Sequence, residues 1–122
     1  MNNPGRKVLV VDDDLAILEL MSRIINKSGY DVESASDAEE ALKLIIENEF
    51  QLVISDISLP GMSGIELFKK VRNKYGSPKF IFMSGYAVDD MDEPILEGAA
   101  GFFPKPFQIG NVMDKISKLL SK

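Results

Sequence analysis

Four of the strands predicted in this chain end on residues that can bind or attack a charged group. The first strand is followed by Asp12 and Asp13, the third by Asp56, the fourth by Ser84 and the fifth by Lys105. The carboxyl ends of parallel strands share one edge of a sheet, so these side chains are expected to meet in one crevice. Three carboxylates repel one another there, and a divalent cation relieves the repulsion. Together with a hydroxyl and an ammonium, this set is suited to accepting a phosphoryl group.

Each of these residues also has an ordinary structural explanation. Asp56 could cap the turn that follows its strand, and residues 12–14 could form a solvated acidic turn that caps the first helix. Ser84 could be a turn residue, and Lys105 a surface lysine beside a proline turn. Their joint placement at four strand ends favours a functional site over four separate coincidences.

The composition restricts the chemistry that is possible. The 122 residues include no cysteine and no histidine, which excludes disulfides, thiol and imidazole catalysis and the usual zinc ligands. A bound metal must rest on oxygen ligands, which favours Mg²⁺, with Mn²⁺ as the alternative. The net charge of −5 and the absence of a polybasic block predict no direct contact with nucleic acid or a membrane surface. The expected partner is another protein.

The overall composition is that of one globular domain. The chain is 45% apolar and 27% charged, which is typical of a soluble protein with its own core. It contains neither an apolar run near the length of a membrane span nor a cleavable signal pattern. We therefore expect a single domain over residues 1–122 and a cytoplasmic location.

Apolar patterning predicts five strands that alternate with five helices. In the first helix, the buried stripe is expected to include Leu15 and Leu20. Strands are indicated by short apolar runs at residues 7–11, 52–55, 80–83 and 101–104. A further strand is indicated at residues 30–35, where Val32 and Ala35 are the apolar points. Helices are indicated from Leu15 until Gly29, after the capping-box pattern SDAE at residues 36–39, from about Gly64 to Tyr75, from Pro94 to Gly98, and from Ile109 to Leu120.

This alternation predicts an α/β fold with three layers, α/β/α. The expected architecture is a flavodoxin-like (βα)5 fold, a doubly wound parallel sheet of five strands in the order 2-1-3-4-5. In that order the four strands that carry the candidate residues are neighbours. Pro104 cannot donate to a sheet hydrogen bond, so the fifth strand is expected at an edge.

Four stretches of the sequence carry a resemblance to a known family. They are KVLVVDD at residues 7–13, LVISDISLPGMSG at 52–64, MSG at 83–85 and GAAGFFPKPF at 98–107. In these stretches, and over essentially its whole length, the chain resembles the receiver domain of two-component response regulators, in the CheY-like superfamily. The resemblance implies a phosphoacceptor with at most self-catalysed phosphotransfer and autodephosphorylation, rather than an enzyme that turns over a substrate.

The resemblance also implies roles for particular residues. Asp56 would receive a phosphoryl group from a phosphohistidine of a sensor histidine kinase or of a histidine phosphotransfer protein. The side chains of Asp13 and Asp56, together with the backbone carbonyl of Ser58, would ligate Mg²⁺. Asp12 would act on the metal largely through a bound water.

A conformational switch is implied in the same way. Ser84 and Lys105 would hold the phosphoryl oxygens, and these new contacts would bias the domain between two conformations. Phe102 occupies the position of an aromatic that turns inward behind the hydroxyl, although an ordinary core aromatic fits the same pattern. The switch would alter the surface of the fourth helix and fifth strand, which would control a downstream effector. The Lys105–Pro106 peptide bond is expected to be cis.

Two further positions are expected to tune the lifetime of the phosphorylated state. Ser58 and Tyr86 flank the expected path of an attacking water, although Tyr86 also fits a half-exposed loop aromatic. The chain departs from the family at three places, which affect the details of signalling rather than phosphoryl acceptance. Phe102 replaces a frequent tyrosine, Gly85 replaces a common alanine, and Pro94 shortens the fourth helix.

Two other functions compete with this interpretation. A haloacid-dehalogenase-like phosphatase also uses a strand-end aspartate, Mg²⁺, a hydroxyl and a lysine, and Asp12-x-Asp14 could be aligned with its opening motif. The chain is short for that fold, however, and its best nucleophile follows the third strand. A docking module that works without phosphorylation is the other alternative, because a fold alone does not fix a function. The complete set of candidate site residues argues against it.

Overall fold

The computed structural model describes residues 6–72, 78–85 and 98–120, and strands alternate with helices along them. The helix predicted from Pro94 to Gly98 falls almost entirely outside these residues. The described strands and helices are β1 Lys7–Val11, α1 Leu15–Lys27, β2 Asp31–Ala35, α2 Ala38–Glu47, β3 Leu52–Asp56, α3 Gly64–Val71, β4 Lys79–Ser84, β5 Gly101–Pro104 and α4 Ile109–Leu120.

The five strands form one parallel sheet in the order β2-β1-β3-β4-β5. This confirms the predicted doubly wound topology. Strand β5 lies at an edge, as the proline in it predicts, and Pro104 is paired with Ser84 at the end of β4. The ends of β1, β3, β4 and β5 are therefore neighbours, as the proposed crevice requires.

The sheet is covered by helices on both faces, because side chains of each strand point alternately to opposite sides. Leu9 and Val53 pack with α2 and α3 on one side. Val10 and Ile54 pack with α1 and α4 on the other. Burial on both faces explains why β1 and β3 are continuous apolar runs rather than alternating ones.

Helix α1 buries a narrower stripe than the sequence suggests. Its N-cap Asp14 accepts hydrogen bonds from two backbone amides of the first turn, and Gly29 follows the helix with a positive φ of 99°. The predicted burial of Leu15 and Leu20 is wrong, since these side chains are 70% and 51% exposed. Leu20 lies about 200° around the helix from the buried Leu18, which directs it to solvent.

The predicted cap of α2 is wrong by one residue. Asp37, not Ser36, is the N-cap, and its side chain accepts a hydrogen bond of 2.8 Å from the Glu40 amide. Glu40 in turn accepts one from the Ser36 amide at 3.0 Å. Aspartate and serine are equally good N-caps, so the pattern alone could not choose between neighbouring positions.

Helix α3 begins at Gly64, as predicted, and a capping box between Ser63 and Glu66 closes its first turn. The Ser63 hydroxyl and the Glu66 carboxylate each accept a hydrogen bond from the other residue's backbone amide. The described helix ends at Val71, and Tyr75, where it was predicted to end, lies outside the described residues.

Candidate functional site

Three carboxylates meet at the carboxyl edge of the sheet. Asp12 and Asp13 follow β1, and Asp56 is the last residue of β3. One oxygen atom from each lies within 4.8 Å of the others. Asp12 is fully buried, Asp56 is 6% exposed and Asp13 is open to solvent. A set of carboxylate oxygens this close, with one member facing water, fits a hard divalent cation such as Mg²⁺.

Lys105 reaches into this cluster from the end of β5. Its Nζ lies 3.0 Å from Asp12 Oδ2 and 2.8 Å from Asp56 Oδ2, so one ammonium bridges both buried carboxylates. Its backbone amide donates to the Ser84 carbonyl, and this bond fixes the start of the loop after β5 to the end of β4. The Lys105–Pro106 peptide bond is cis, as expected.

Burial and charge act against each other in this cluster. Loss of solvent raises the pKa of the Asp12 carboxyl, although the Asp14 amide and the Lys105 ammonium both favour its charged form. Burial works to lower the pKa of Lys105, but hydrogen bonds to Asp56 and Asp12 outweigh it and raise that pKa. The ammonium therefore stays charged through neutral pH, positioned where it neutralises part of the carboxylate charge.

The remaining candidate residues lie around this cluster with different degrees of burial. Ser84 is fully buried at the end of β4. The Ser58 amide donates to Asp56 Oδ1 at 3.1 Å, while the Ser58 side chain is exposed. Phe102 is partly buried opposite Phe82 and packs on the core between the sheet and helices α2 and α3. Tyr86 lies outside the described residues.

Two residues behind Asp56 were not recognised from the sequence. The buried Ser55 hydroxyl donates to the Asp56 carbonyl at 2.9 Å. A Cβ on Gly64 would lie 2.2 Å from that same carbonyl oxygen, so α3 starts in direct contact with the end of β3. The only sequence signals were a polar residue in an apolar run and a glycine after a turn, and neither identifies its contact.

The Lys105 ion pairs give a pH dependence of stability that can be measured. The pKa of Lys105 is higher in the folded protein than its ordinary value. Its ion pairs therefore contribute stability that is fully present below about pH 10.4 and is lost as the pH rises through the folded-state pKa. We expect Lys105→Gln to lower the free energy of unfolding by about 2 kcal/mol at pH 7, because two buried carboxylates lose their counter-charge. The difference from wild type should shrink toward pH 11 in urea titrations.

The exposed Lys118 provides the matched control for this prediction. We expect Lys118→Gln to change stability little at either pH, since an exposed lysine contributes little. A Lys105→Gln effect that stays constant to pH 11, or that Lys118→Gln reproduces, contradicts the assigned ion pairs.

Comparisons with known proteins identify the family of this chain. The family model of the response regulator receiver domain matches residues 8–117. Sporulation initiation phosphotransferase F of Bacillus subtilis is 35% identical over 117 residues, covering 95% of this chain and 94% of that protein. Response regulator protein FleR of Pseudomonas aeruginosa is 35% identical over 113 residues, covering 92% of this chain but only 24% of FleR.

A solved structure extends the agreement to three dimensions. The response regulator protein TrrA of Thermotoga maritima, in complex with Mg²⁺-BeF, matches with a TM-score of 0.83 and 33% identity over 94% of this chain and 99% of that one. In the part of this chain that the structure describes, no helix combines the length and the apolar character needed to cross a membrane. The chain belongs to the response regulator receiver domain family.

Proposed function

We propose that this receiver domain accepts a phosphoryl group on the side chain of Asp56. The observation that carries the proposal is the bridge of Lys105 Nζ to Asp56 Oδ2 at 2.8 Å and to Asp12 Oδ2 at 3.0 Å, beside Asp13. Asp56 is a nearly buried carboxylate that pairs with a lysine and has an oxygen within 4.8 Å of two further carboxylates, so it can attack phosphorus in a crevice that binds charge. The proposed donor is a phosphohistidine on a sensor histidine kinase or on a histidine phosphotransfer protein. The Bacillus relative is named as a phosphotransferase, which supports phosphoryl transfer.

The transfer exchanges one bond to phosphorus for another. A carboxylate oxygen of Asp56 forms a bond to phosphorus while the bond from phosphorus to the histidine nitrogen breaks. The ring carries a proton on its other nitrogen, so it leaves with that electron pair as neutral imidazole. The Ser58 amide, 3.1 Å from Asp56 Oδ1, holds the carboxylate in one orientation during the attack. The Lys105 ammonium moves from the carboxylates to the new phosphoryl oxygens, and the Ser84 hydroxyl donates to another of them.

A metal ion has a defined place in this proposal. The Asp13 and Asp56 side chains and the Ser58 carbonyl would hold Mg²⁺ or Mn²⁺, with Asp12 acting through a water. When bound, the ion supplies positive charge that offsets the negative charge of the carboxylates and the phosphoryl group.

The signalling consequence follows from the charge that the phosphoryl group adds. The group carries about −1.5 to −2 charges at pH 7, and its contacts with Ser84 and Lys105 exist only after transfer. A conformation that shortens those contacts is therefore favoured, with Phe102 turning inward behind Ser84. The change would reach a downstream effector through the surface next to β5. Ser58 and Tyr86 would set how fast water removes the group.

Two alternatives predict different behaviour. A phosphatase of the haloacid-dehalogenase type would turn over phosphate esters, while a receiver takes up one phosphoryl group per chain. A docking module would respond to neither Mg²⁺ nor a phosphoryl analogue. The strand order 2-1-3-4-5 and the family membership favour the receiver over the phosphatase. The assembled cluster of Asp12, Asp13, Asp56 and Lys105 argues against a docking module that works without phosphorylation. The cytoplasmic location remains a prediction from the sequence.

Adding Mg²⁺ is expected to stabilise the folded domain, because the ion binds the carboxylate cluster only when it is assembled. At a concentration about 100 times its dissociation constant, the gain in unfolding free energy is about 2.7 kcal/mol. Adding beryllofluoride with Mg²⁺ should then shift the NMR signals of Ser84, Phe102 and Lys105. Thermal unfolding and two-dimensional NMR measure the two effects.

The exposed Asp13 allows a sharp control for the metal effect. We expect Asp13→Asn to weaken Mg²⁺ binding about ten-fold or more, while the metal-free variant stays at least as stable as wild type because one repulsive charge is gone. Asp114→Asn, which changes an exposed acid on α4, should leave the Mg²⁺ response intact. A melting temperature that does not respond to millimolar Mg²⁺, with NMR signals unchanged by beryllofluoride, overturns the proposed function.

A further inference from the structure

A buried hydroxyl lies directly behind the proposed phosphoacceptor. Ser55 is fully buried in β3, where its strand neighbours are Val11 on β1 and Phe82 on β4. A hydroxyl in such apolar surroundings needs a hydrogen-bond partner. The acceptor is the backbone carbonyl of Asp56, 2.9 Å from Ser55 Oγ. The bond therefore restrains the peptide unit that joins Asp56 to the loop after it.

The start of α3 packs against the same atoms. A Cβ on Gly64 would lie 2.2 Å from the Asp56 carbonyl oxygen and 3.0 Å from Ser55 Oγ. The Gly64 amide donates to the Ile57 carbonyl at 2.9 Å, which closes the loop of residues 57–64 at its base. Ser55 and Gly64 are thus two small residues that allow the end of β3 and the start of α3 to pack in direct contact.

This loop base controls groups that face Asp56. The Ile57 amide donates to the Met83 carbonyl at 2.9 Å, which ties the first loop residue to β4. The next amide, from Ser58, donates to Asp56 Oδ1 at 3.1 Å. A rotation of the peptide unit after Asp56 would move Ile57 and then Ser58 away from these partners. The orientation of the Asp56 carboxylate depends on that peptide unit.

We infer that Ser55 is a positioning residue for the site: its hydroxyl fixes the Asp56 carbonyl so that the base of loop 57–64 stays closed against Gly64. The closed base keeps the Ser58 amide hydrogen-bonded to the Asp56 carboxylate. It also keeps the Ser58 carbonyl directed toward the position of the cation. The part that concerns the cation rests on the proposed function. The part that concerns the loop is independent of it.

The test compares two serine-to-alanine variants. Ser55→Ala removes the hydroxyl and little volume. Ser22→Ala removes a buried hydroxyl on α1 that has no hydrogen-bond partner among the described residues, so it controls for the substitution itself. Ser55→Cys keeps a weak donor and should give intermediate behaviour. Amide hydrogen exchange is followed at single-residue resolution, Mg²⁺ affinity by calorimetry, and global stability by urea unfolding.

In Ser55→Ala we expect exchange of the Gly64 and Ile57 amides to accelerate about ten-fold while the β1 amide of Val10 keeps its rate, which indicates local opening. Mg²⁺ affinity should fall about ten-fold, as when a group that orients a metal ligand is lost. Ser22→Ala should change neither quantity. Exchange that accelerates equally across the whole sheet, or that stays at the wild-type rate, overturns the inference. If wild type does not bind Mg²⁺, the proposed function fails, and exchange at Gly64 still decides the role of Ser55.

Discussion

Replacing Asp56 by asparagine is expected to abolish phosphoryl uptake, with a fall of about 1,000-fold or more in the initial rate. An amide oxygen carries no negative charge with which to attack phosphorus. Stability should not fall, because Lys105 retains its bond to Asp12 and one repulsive carboxylate is removed. Uptake is measured with a radiolabelled small-molecule phosphoryl donor in the presence of Mg²⁺, alongside urea unfolding of the same samples.

The control is an aspartate of similar chemistry outside the site. Asp114 is exposed on α4, and Asp114→Asn should take up phosphoryl at the wild-type rate. Labelling of Asp56→Asn at more than a few per cent of the wild-type rate would mean that another residue is the nucleophile. Asp12 and Asp13 are the nearest alternatives, because they share the cluster.

Replacing Gly64 by alanine is expected to have the largest effect on stability. The added Cβ would lie 2.2 Å from the Asp56 carbonyl oxygen, and neither the strand nor the helix start can yield without losing hydrogen bonds. We expect a loss of about 3 kcal/mol in unfolding free energy, the upper part of the range for overpacked sites. Urea unfolding at neutral pH measures it.

Other glycines of the chain separate this contact from the general effect of the substitution. Gly110 lies in α4 with nothing within 4 Å of an added Cβ, so Gly110→Ala should raise stability by about 0.5 kcal/mol. Gly61 has open space but a φ of +74°, and Gly61→Ala should cost about 1 kcal/mol through backbone strain alone. If Gly64→Ala costs no more than Gly61→Ala, the close contact with Asp56 is not what holds α3 in place.

The fold could be predicted from the sequence because its patterns are strong and local. Apolar runs too short for helices locate four of the five strands, and Val32 and Ala35 indicate β2. Pro104 places β5 at an edge. Carboxylates immediately after buried runs locate Asp12, Asp13 and Asp56 at the same edge of the sheet. These inferences depend only on where residues stand relative to strand ends, which the sequence displays directly.

The parts that could not be predicted depend on side-chain geometry. Lys105 contacts both Asp12 and Asp56, and its spacing in the sequence cannot say which carboxylates it reaches. The contact of Gly64 with the Asp56 carbonyl joins residues eight positions apart through a loop whose path has no sequence signature. Leu20 was misplaced because a widened apolar stripe does not distinguish the buried face of a helix from its margin.

The most direct test of the proposed function is to locate the phosphoryl group itself. Wild-type protein is phosphorylated with Mg²⁺ and a small-molecule donor, reduced with borohydride to trap the acyl phosphate, digested and sequenced by mass spectrometry. We predict one reduced residue per chain, at Asp56, with none at Asp12, Asp13 or Asp114. Reduction at a different aspartate, or release of phosphate from the donor without any trapped residue, contradicts the assignment of Asp56 as the phosphoacceptor.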